Sequence, residues 1–324
     1  MSALMPRRGQ ARTQTRPRYL GWTRGLKPLA RPPILCSFGK SSQARRLVTL
    51  YVLTLVVLPV WAFASDEDFG SAAIVGMGGA YVAMPGEAAT IWFNPALSSL
   101  SHSFARAGLA TRNLYQLQPL EEKTGSLVLY AGKGASLGAG FSQFGQSGSY
   151  KETHAVLTAA VEARKNWALG AGLHYHRVEF GDNVKAYAGA SLDLGIASRP
   201  IPRIVASAVV RRVSIERQYE TDDPPTIVEL SAAWDGPSIT LAGIWSKNSG
   251  ERSRLGIGQS LLVTRNVAWG AGLVFLSGLH FDPVRYSLGA RVIGGRGSFD
   301  YVYQNHPDLG GTHVIGISFQ FPGP

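Results

Sequence analysis

Hydrophobic and polar residues alternate along most of this chain after about residue 102. In the stretch 266–277, Trp269, Leu273 and Phe275 fall on one face, and alanine and glycine begin the other. The stretches 166–177 and 297–304 show the same alternation, with Trp167 and Phe299 on their apolar faces. Alternation with one large apolar face predicts β-strands, and no stretch beyond residue 102 has convincing helical periodicity.

About fourteen such segments are present. Most have roughly 8–13 residues, close to the 9–11 of a membrane-spanning strand and longer than the 5–6 of a typical globular strand. The predicted strands are 103–112, 124–132, 135–144, 153–163, 166–177, 184–196, 203–213, 226–235, 237–247, 251–262, 266–277, 283–293, 297–304 and 311–321.

The connections between these segments alternate between long and short. The polar stretch 112–123 is long, for example, whereas Lys133-Gly134 and Arg164-Lys165 are tight links. We therefore predict an all-β fold, a transmembrane antiparallel up-and-down β-barrel of about 14 strands over residues 102–324. A secreted β-sandwich or β-solenoid also alternates, but it does not so readily place large apolar residues outside and glycine or alanine inside. The small inner residues indicate a narrow or filled lumen.

The front of the chain has a different composition. Residues 45–64 combine Arg45-Arg46, an uncharged run from Leu47 to Trp61 and a small-residue site ending at Ala64. These three parts predict a signal peptide cleaved after Ala64, with a transmembrane anchor as the alternative. Residues 1–44 are rich in Arg and Pro, which suggests a disordered leader, a mis-assigned translation start or an organelle transit peptide.

Net charge and cysteine usage exclude several classes of function. The net charge is +11, but residues 1–64 hold 11 Lys and Arg and no acid, so the remaining chain is balanced at 21 basic and 21 acidic residues. No basic patch remains to indicate nucleic-acid binding. Cys36 is the only cysteine, which argues against zinc-ribbon, iron–sulfur, disulfide and thiol-nucleophile sites in the body.

Residues 65–101 precede the first strand and are rich in glycine and alanine, which lets backbone pack closely against a wall of small residues. The order of Asn94, Pro95 and Ala96 predicts a helix start, with Asn as N-cap and Pro at the first position. We predict that this segment is a plug closing the barrel, anchored by Trp92 and Phe93. Its motif comprises Gly76, Gly78, Gly79, Trp92, Phe93, Asn94, Pro95 and Ala96.

Charged residues occur on the less apolar faces of the strands. A charge facing lipid near the bilayer midplane costs roughly 2–4 kcal/mol, so these side chains should point into the lumen or lie at a rim. We expect some of them to pair with each other or with the plug. The candidate lumen charges are Asp193, Arg254, Arg285, Arg291 and Asp300.

Signals for catalysis and metal binding are weak. Ser136 lies in a G-x-S-x-G pattern, but the pattern follows a tight turn between strands instead of a strand-to-helix elbow. His174 and His176 share a strand face, yet two ligands are too few for a metal site. The acidic stretch 219–225 lacks the spacing of a calcium loop. We predict no enzyme activity, no catalytic residues, no metal and no cofactor.

Both ends of the chain resemble known outer-membrane proteins. The stretch Gly76-Met-Gly-Gly-Ala-Tyr-Val-Ala, followed by Trp-Phe-Asn-Pro-Ala, resembles the N-terminal signature of PorV/PorQ-type proteins and, more distantly, of FadL-type fatty-acid transporters. Asp300-Tyr-Val-Tyr, Asp308-Leu-Gly-Gly-Thr-His313 and Ile317-Ser-Phe-Gln-Phe321 resemble the closing hairpin of that superfamily. The resemblance implies a fourteen-stranded barrel occluded by an N-terminal hatch.

The resemblance leaves two functions open. In the FadL branch it implies passive passage of small hydrophobic molecules across a bacterial outer membrane, with such a molecule as ligand. In the PorV branch it implies an accessory barrel for protein secretion or surface attachment, with a secreted partner protein. Both place the mature chain, as a monomer, in outer-membrane lipid of a Gram-negative cell after insertion by the barrel-assembly machinery.

Overall fold

The structure of the chain is a computed structural model, which describes residues 71–80, 86–101, 103–117, 120–146, 149–181, 186–216, 225–249, 253–276, 282–306 and 309–322. The predicted leader (1–44) and signal peptide (45–64) lie outside the described residues, as does nearly all of the acidic stretch 219–225.

Fourteen antiparallel strands form one closed barrel in which each strand pairs with its neighbours in sequence and β14 pairs with β1. The strands are β1 Ala105–Asn113, β2 Glu121–Gly132, β3 Ala135–Gln146, β4 Tyr150–Arg164, β5 Trp167–Phe180, β6 Tyr187–Ile201, β7 Ile204–Glu216, β8 Ile227–Asp235, β9 Ile239–Asn248, β10 Ser253–Thr264, β11 Val267–Leu276, β12 Asp282–Gly294, β13 Gly297–His306 and β14 Gly310–Phe321.

The closed ladder confirms the predicted barrel of about 14 strands and excludes the β-sandwich and the β-solenoid. Every predicted segment overlaps one strand, and the ends differ by a few residues. β2, for example, begins at Glu121 and not at 124, because Glu121 pairs with Asn113 at the end of β1. Apolar alternation does not detect such polar strand ends, which are held by backbone pairing across the ladder.

The two ends of the barrel carry different connections. The end called here the turn rim has links of two or three residues, such as Lys133-Gly134 between β2 and β3. Both residues have positive φ angles, 51° and 78°, as tight hairpin turns require. The opposite end, the loop rim, carries connections of three or more residues, of which the one between β7 and β8 is the longest. This asymmetry follows the predicted alternation of short and long links.

The outer face of the barrel is apolar. Leu109 and Leu157 are each 64% exposed, and Trp269 is 59% exposed. Their neighbours along the strands point inward: Thr158 and Ala268, for example, are buried. A soluble monomer rarely exposes so continuous an apolar surface, whereas a barrel in lipid requires one.

The lumen is filled by the chain that precedes β1, called here the plug (residues 71–80 and 86–101 as described). It contains the helix α1, Ala72–Gly76, and two 3₁₀ helices, Ala88–Trp92 and Pro95–Leu100. A third 3₁₀ helix, Leu114–Gln116, lies between β1 and β2. None of the helices in the described residues is long and apolar enough to cross a membrane.

Candidate functional site

The plug contacts the wall on every side of the lumen. Helix α1 packs against β11 to β14, the first 3₁₀ helix packs mainly against β1 to β4, and the second packs against β3 to β6. Almost all of its described residues are buried, and the plug and the inner wall share three apolar clusters. The lumen is therefore filled in its middle, as its small inner residues indicated.

Glycines on the wall allow this contact. A Cβ atom on Gly272 of β11 would lie 2.0 Å from the backbone nitrogen of Gly78. Gly258 of β10 is equally close to the plug, because a Cβ there would lie 2.2 Å from the carbonyl oxygen of Met77. Gly78 itself has φ of +62°, and its N–H donates to Ser287 Oγ at 3.2 Å. Backbone thus packs directly on backbone, which a side chain at these wall positions would prevent.

The predicted helix start at Asn94 is present. Asn94 Oδ1 accepts a hydrogen bond from the Ala96 N–H at 3.1 Å, and Pro95 occupies the first helical position. The same side chain also reaches the wall, because its Nδ2 donates to the carbonyl oxygens of Ile196 at 3.4 Å and Ala208 at 3.3 Å. Asn94 is therefore both the cap of a helix and a tether to β6 and β7.

The two aromatic residues of the motif face the wall. Trp92 Nε1 donates to Ser126 Oγ at 3.0 Å, so this buried indole is satisfied. The Arg211 guanidinium lies 5.5 Å from the centre of the Phe93 ring and donates to the Trp92 carbonyl oxygen at 3.3 Å. Arg211 also pairs with Glu229 at 2.9 Å. Trp92 and Phe93 are thus part of the apolar packing between plug and wall, and the Arg211–Glu229 ion pair lies beside them.

Two of the five candidate lumen charges pair with each other and with the plug. Arg291 Nε lies 2.5 Å from Asp300 Oδ1, and Arg291 Nη2 lies 2.6 Å from Oε1 of Glu87 in the plug. Both carboxylates are buried. We call these three residues the latch, because their ion pairs join the plug to β12 and β13.

The other candidates also lie on the lumen side. Asp193 is 1% exposed and accepts a hydrogen bond from the Arg212 N–H at 2.9 Å. Its second oxygen lies 2.9 Å from His174 Nε2, without hydrogen-bond geometry. Arg285 is buried, and Arg254 is half-buried next to the outward-facing Leu255.

Polar side chains form a layer between the plug and the loop rim. Arg112 Nη2 lies 2.6 Å from Glu122 Oε2, with both side chains nearly fully buried. His154 lies 3.2 Å from Glu152, and its ring stacks on that of His176, with centroids 6.4 Å apart. No cluster of three or more potential metal ligands occurs in the part of the chain that the structure describes.

Four aromatic residues lie beside this layer, at the loop-rim ends of β3 to β6, and Phe144 is the ladder partner of Glu122. Tyr150 contacts Phe180 at 5.2 Å between ring centroids and Phe144 at 6.1 Å, and Phe180 contacts Tyr187 at 6.1 Å. The Tyr150 hydroxyl donates to Glu152. We call this group the aromatic mouth. Because all four occupy the inner-facing positions of their strands, they line the entrance to the lumen.

Sequence reasoning missed the aromatic mouth, because apolar faces were assigned from the strand centres. A detectable signal exists, since each of the four aromatic residues lies on the polar face of its strand and beside a connection at the loop rim. Ser136 of the G-x-S-x-G pattern lies on β3, is 1% exposed and shares a hydrogen bond of 2.7 Å with Ser98 of the plug.

No protein-family model matches the sequence, and no curated protein sequence matches it. Solved structures are similar in fold. The toluene transporter TbuX of Ralstonia pickettii matches with a TM-score of 0.60 at 11% identity, over 79% of this chain and 99% of its own. The CymD monoaromatic hydrocarbon channel gives 0.61 at 14% identity, over 80% of this chain and 100% of its own.

A FadL homologue from Pseudomonas aeruginosa has a TM-score of 0.58 at 13% identity, over 82% of this chain and 98% of its own. Identities this low show a shared fold alone. This chain therefore shares its fold with a toluene transporter, a monoaromatic hydrocarbon channel and a FadL homologue.

Proposed function

We propose that this protein is a bacterial outer-membrane channel for passive passage of small hydrophobic molecules. The aromatic mouth carries the proposal, since four ring faces at the entrance offer planar or apolar molecules a stacking surface. The likeness in fold to a toluene transporter and a monoaromatic hydrocarbon channel supports the same class of cargo.

The apolar outer surface supports a position in lipid. Large aliphatic and aromatic side chains cover the wall between the two rims. With a signal peptide cleaved near Ala64, the chain would reach the outer membrane through the periplasm and insert with the help of the barrel-assembly machinery. The plug, which precedes β1 on the turn-rim side, would then enter the lumen from the periplasm.

Passage requires a route around the plug. The seam between β6 and β7 supports a lateral route, because its ladder contains three register shifts and Arg212 has a φ angle of 59°. Asn94 of the plug donates to carbonyl oxygens of both strands at this seam. We infer that a molecule captured at the aromatic mouth leaves through the wall here when the plug shifts.

The test is uptake of radiolabelled toluene by cells that carry the full protein in the outer membrane. The double variant Tyr150→Ala, Phe180→Ala removes the centre of the aromatic mouth. One aromatic contact between ligand and protein contributes about 0.5–1.5 kcal/mol, so the initial uptake rate should fall by at least about twofold to tenfold. Phe299→Ala is the matched control, since this ring is 47% exposed on the outer face. Equal rates in wild type and double variant would contradict the proposal.

A second function is favoured by the continuity of the wall. All fourteen neighbouring strand pairs are hydrogen-bonded, so the wall is closed, and the plug fills the lumen in the described residues. We propose as the alternative a sealed accessory barrel of the PorV/PorQ kind, which would bind a secreted partner protein at the loop rim. It predicts no toluene uptake above cells that lack the protein, together with crosslinking of a second polypeptide to loop-rim residues.

A further inference from the structure

The turns of the turn rim are basic. Five of the six turns are links of two residues, and each of these five contains one lysine or arginine. The sixth turn, 236–238, is uncharged, and none of the six contains an aspartate or glutamate. All five basic residues are exposed. We call them the turn cations: Lys133, Lys165, Arg203, Arg265 and Arg296.

Acidic residues of the protein do not neutralise the turn cations. Within the described residues, none of the five forms an ion pair. The strand residues within three positions of the turns add Arg164 and Arg199 against Glu162 and Asp235, so the excess stays at five positive charges. Both of these carboxylates accept local hydrogen bonds, from the Asn166 N–H at 2.8 Å and from Thr240 Oγ1 at 3.0 Å.

The connections of the loop rim have the opposite balance of charge. By sequence they contain three basic residues, Lys185, Arg217 and Arg252, and a larger number of acidic ones. The six acidic residues are Asp182, Glu220, Asp222, Asp223, Glu251 and Asp308. Since residues 65–324 have equal numbers of basic and acidic residues, the basic turns reflect a separation of charge between the two ends of the barrel. This separation points to an anionic partner at the turn rim.

Outward-facing aromatic side chains lie next to the turn cations. Trp167 follows Lys165 by two positions and Trp269 follows Arg265 by four, and both rings are exposed on the outer face. Aromatic rings at the ends of membrane strands lie at the level of the lipid headgroups. A strand rises about 3.3 Å per residue, so these cations are about 7–13 Å from the rings along the strand. They therefore lie at the headgroup layer or within about one Debye length of it.

We propose that the turn rim binds anionic phospholipid headgroups of the leaflet that faces it. The proposal rests on the position in lipid proposed above, not on transport. Lysine and arginine side chains can extend from the turns to the phosphates while their hydrocarbon stems cover apolar surface. One cation near an anionic membrane surface favours an anionic over a neutral headgroup about fivefold. Because the cations are distributed over five separate turns, the contact is with several lipids around the rim.

Quenching of tryptophan fluorescence by brominated lipids tests the proposal. Protein purified from outer-membrane fractions is reconstituted into vesicles in which either the phosphatidylglycerol or the phosphatidylcholine is brominated. Trp167, Trp234 and Trp269 are outward-facing sensors near the turn rim, whereas Trp92 is 3% exposed and should stay unquenched. All samples carry Trp245→Phe, which removes the outward-facing tryptophan nearer the loop rim.

The quenching should show a preference for phosphatidylglycerol over phosphatidylcholine of about fivefold at low ionic strength. The preference should fall below about twofold in 1 M NaCl, where the Debye length is about 3 Å. Equal quenching by the two brominated lipids at low ionic strength would overturn the proposal.

Variants assign the preference to the turns. The double variant Lys165→Gln, Arg265→Gln removes the cations nearest to Trp167 and Trp269, and it should lower the preference to less than about twofold. Lys165→Arg, Arg265→Lys keeps both charges and should keep the preference. An unchanged preference in the glutamine variant would contradict the assignment to the turn cations.

The matched control removes the same charge at the opposite end of the barrel. Lys123→Gln, Lys151→Gln neutralises two lysines near the loop rim, at the third residue of β2 and the second of β4. It should leave the quenching of the turn-rim tryptophans unchanged. A loss as large as that in Lys165→Gln, Arg265→Gln would show that net charge, and not the basic turn rim, sets the preference. Heat-modifiable gel mobility checks that each variant is folded.

An anionic polymer on the same side of the membrane is the competing partner, and isolated peptidoglycan is the probe for it. Cosedimentation with peptidoglycan that depends on Lys165 and Arg265, together with no lipid preference, would overturn the proposal in favour of the polymer. Toluene uptake by Lys165→Gln, Arg265→Gln should equal that of wild type, because the aromatic mouth lies at the other rim. A lipid preference without toluene uptake would overturn transport alone, and uptake without the preference would overturn this inference alone.

Discussion

At the scale of single residues, Arg291 joins a carboxylate of the plug to a carboxylate of the wall. It is the only cation of the latch, which holds two carboxylates, Glu87 at 2.6 Å and Asp300 at 2.5 Å. Its own side chain is 19% exposed, and those of its partners are 6% and 5% exposed. Removing one partner of so buried an ion pair lowers the stability of the protein, because the charge that remains is buried without hydration.

We therefore expect Arg291→Met to destabilise the protein by about 3–5 kcal/mol, since it leaves two buried carboxylates without their cation. Glu87→Gln should cost less, about 1–3 kcal/mol, because Asp300 still balances Arg291. The measurement is a urea titration followed by heat-modifiable gel mobility. Glu121→Gln, from an exposed pair with Lys123, is the control and should change stability by less than about 1 kcal/mol.

The reverse order, with Glu87→Gln more damaging than Arg291→Met, would show that the carboxylate of Glu87 holds the plug by another contact. If Glu121→Gln lowered the stability as much as Arg291→Met, burial of the latch would not explain its contribution to stability.

At the scale of elements, the plug depends on glycine-containing strands. Gly272 and Gly258 on the wall let the backbone of the plug approach at distances that a side chain would prevent. The backbone hydrogen bonds between β10 and β11 do not depend on glycine at these positions. A substitution at either glycine should therefore displace the plug and leave the strand pairing of the barrel intact.

Gly272→Ala should displace the plug, because its Cβ atom would lie 2.0 Å from a backbone nitrogen that cannot rotate away. We expect a higher single-channel conductance in planar bilayers, with the heat-modifiable mobility of the barrel kept. Gly294→Ala is the control, since a Cβ there meets nothing within 4 Å. A closed channel with unchanged stability in Gly272→Ala would mean that the plug can shift without opening the lumen.

A second prediction at the scale of elements concerns whether the seam between β6 and β7 opens during uptake. Leu194 and Val210 are paired, outward-facing residues beside its irregular part. Cysteines at both positions should form a disulfide, because directly opposed residues in antiparallel strands lie within bridging distance. Oxidation should lower toluene uptake, and reduction should restore it, if the seam must open.

The matched control is the cysteine pair at Leu157 and Leu173, which are opposed and outward-facing in the regular ladder of β4 and β5. Uptake that is insensitive to oxidation in both pairs would argue for passage along the barrel axis.

At the scale of the whole molecule, the lumen is layered. The aromatic mouth and the polar ion pairs lie at the loop rim, and the apolar clusters of plug and wall fill the lumen beneath them. A hydrophobic molecule entering at the mouth meets charged groups before the plug, which favours a lateral exit over passage along the axis.

The whole molecule should behave as an outer-membrane barrel. We expect protein recovered from outer-membrane fractions to migrate faster unboiled than boiled, because a closed ladder resists detergent until it is heated. Mass spectrometry should place the mature N-terminus at Ser65. The absence of a mobility shift would contradict the membrane assignment. An intact segment 47–64 in the mature protein would contradict the predicted cleavage after Ala64.

The sequence by itself determined the barrel, because strand alternation depends on neighbours along the chain. Trp269 and Ala268 face opposite ways in any antiparallel ladder, and only lipid outside accommodates the large apolar set. The order of Asn94 and Pro95 determined a helix start for the same local reason. These features require no knowledge of which strands meet.

Tertiary structure alone decided what meets inside the lumen. Glu87 and Arg291 are separated by 204 positions, and only the closed barrel brings them within 2.6 Å. The aromatic mouth combines residues from four strands, β3 to β6. Such sites depend on strand register and on the position of the plug, which follow from long-range packing and not from local pattern.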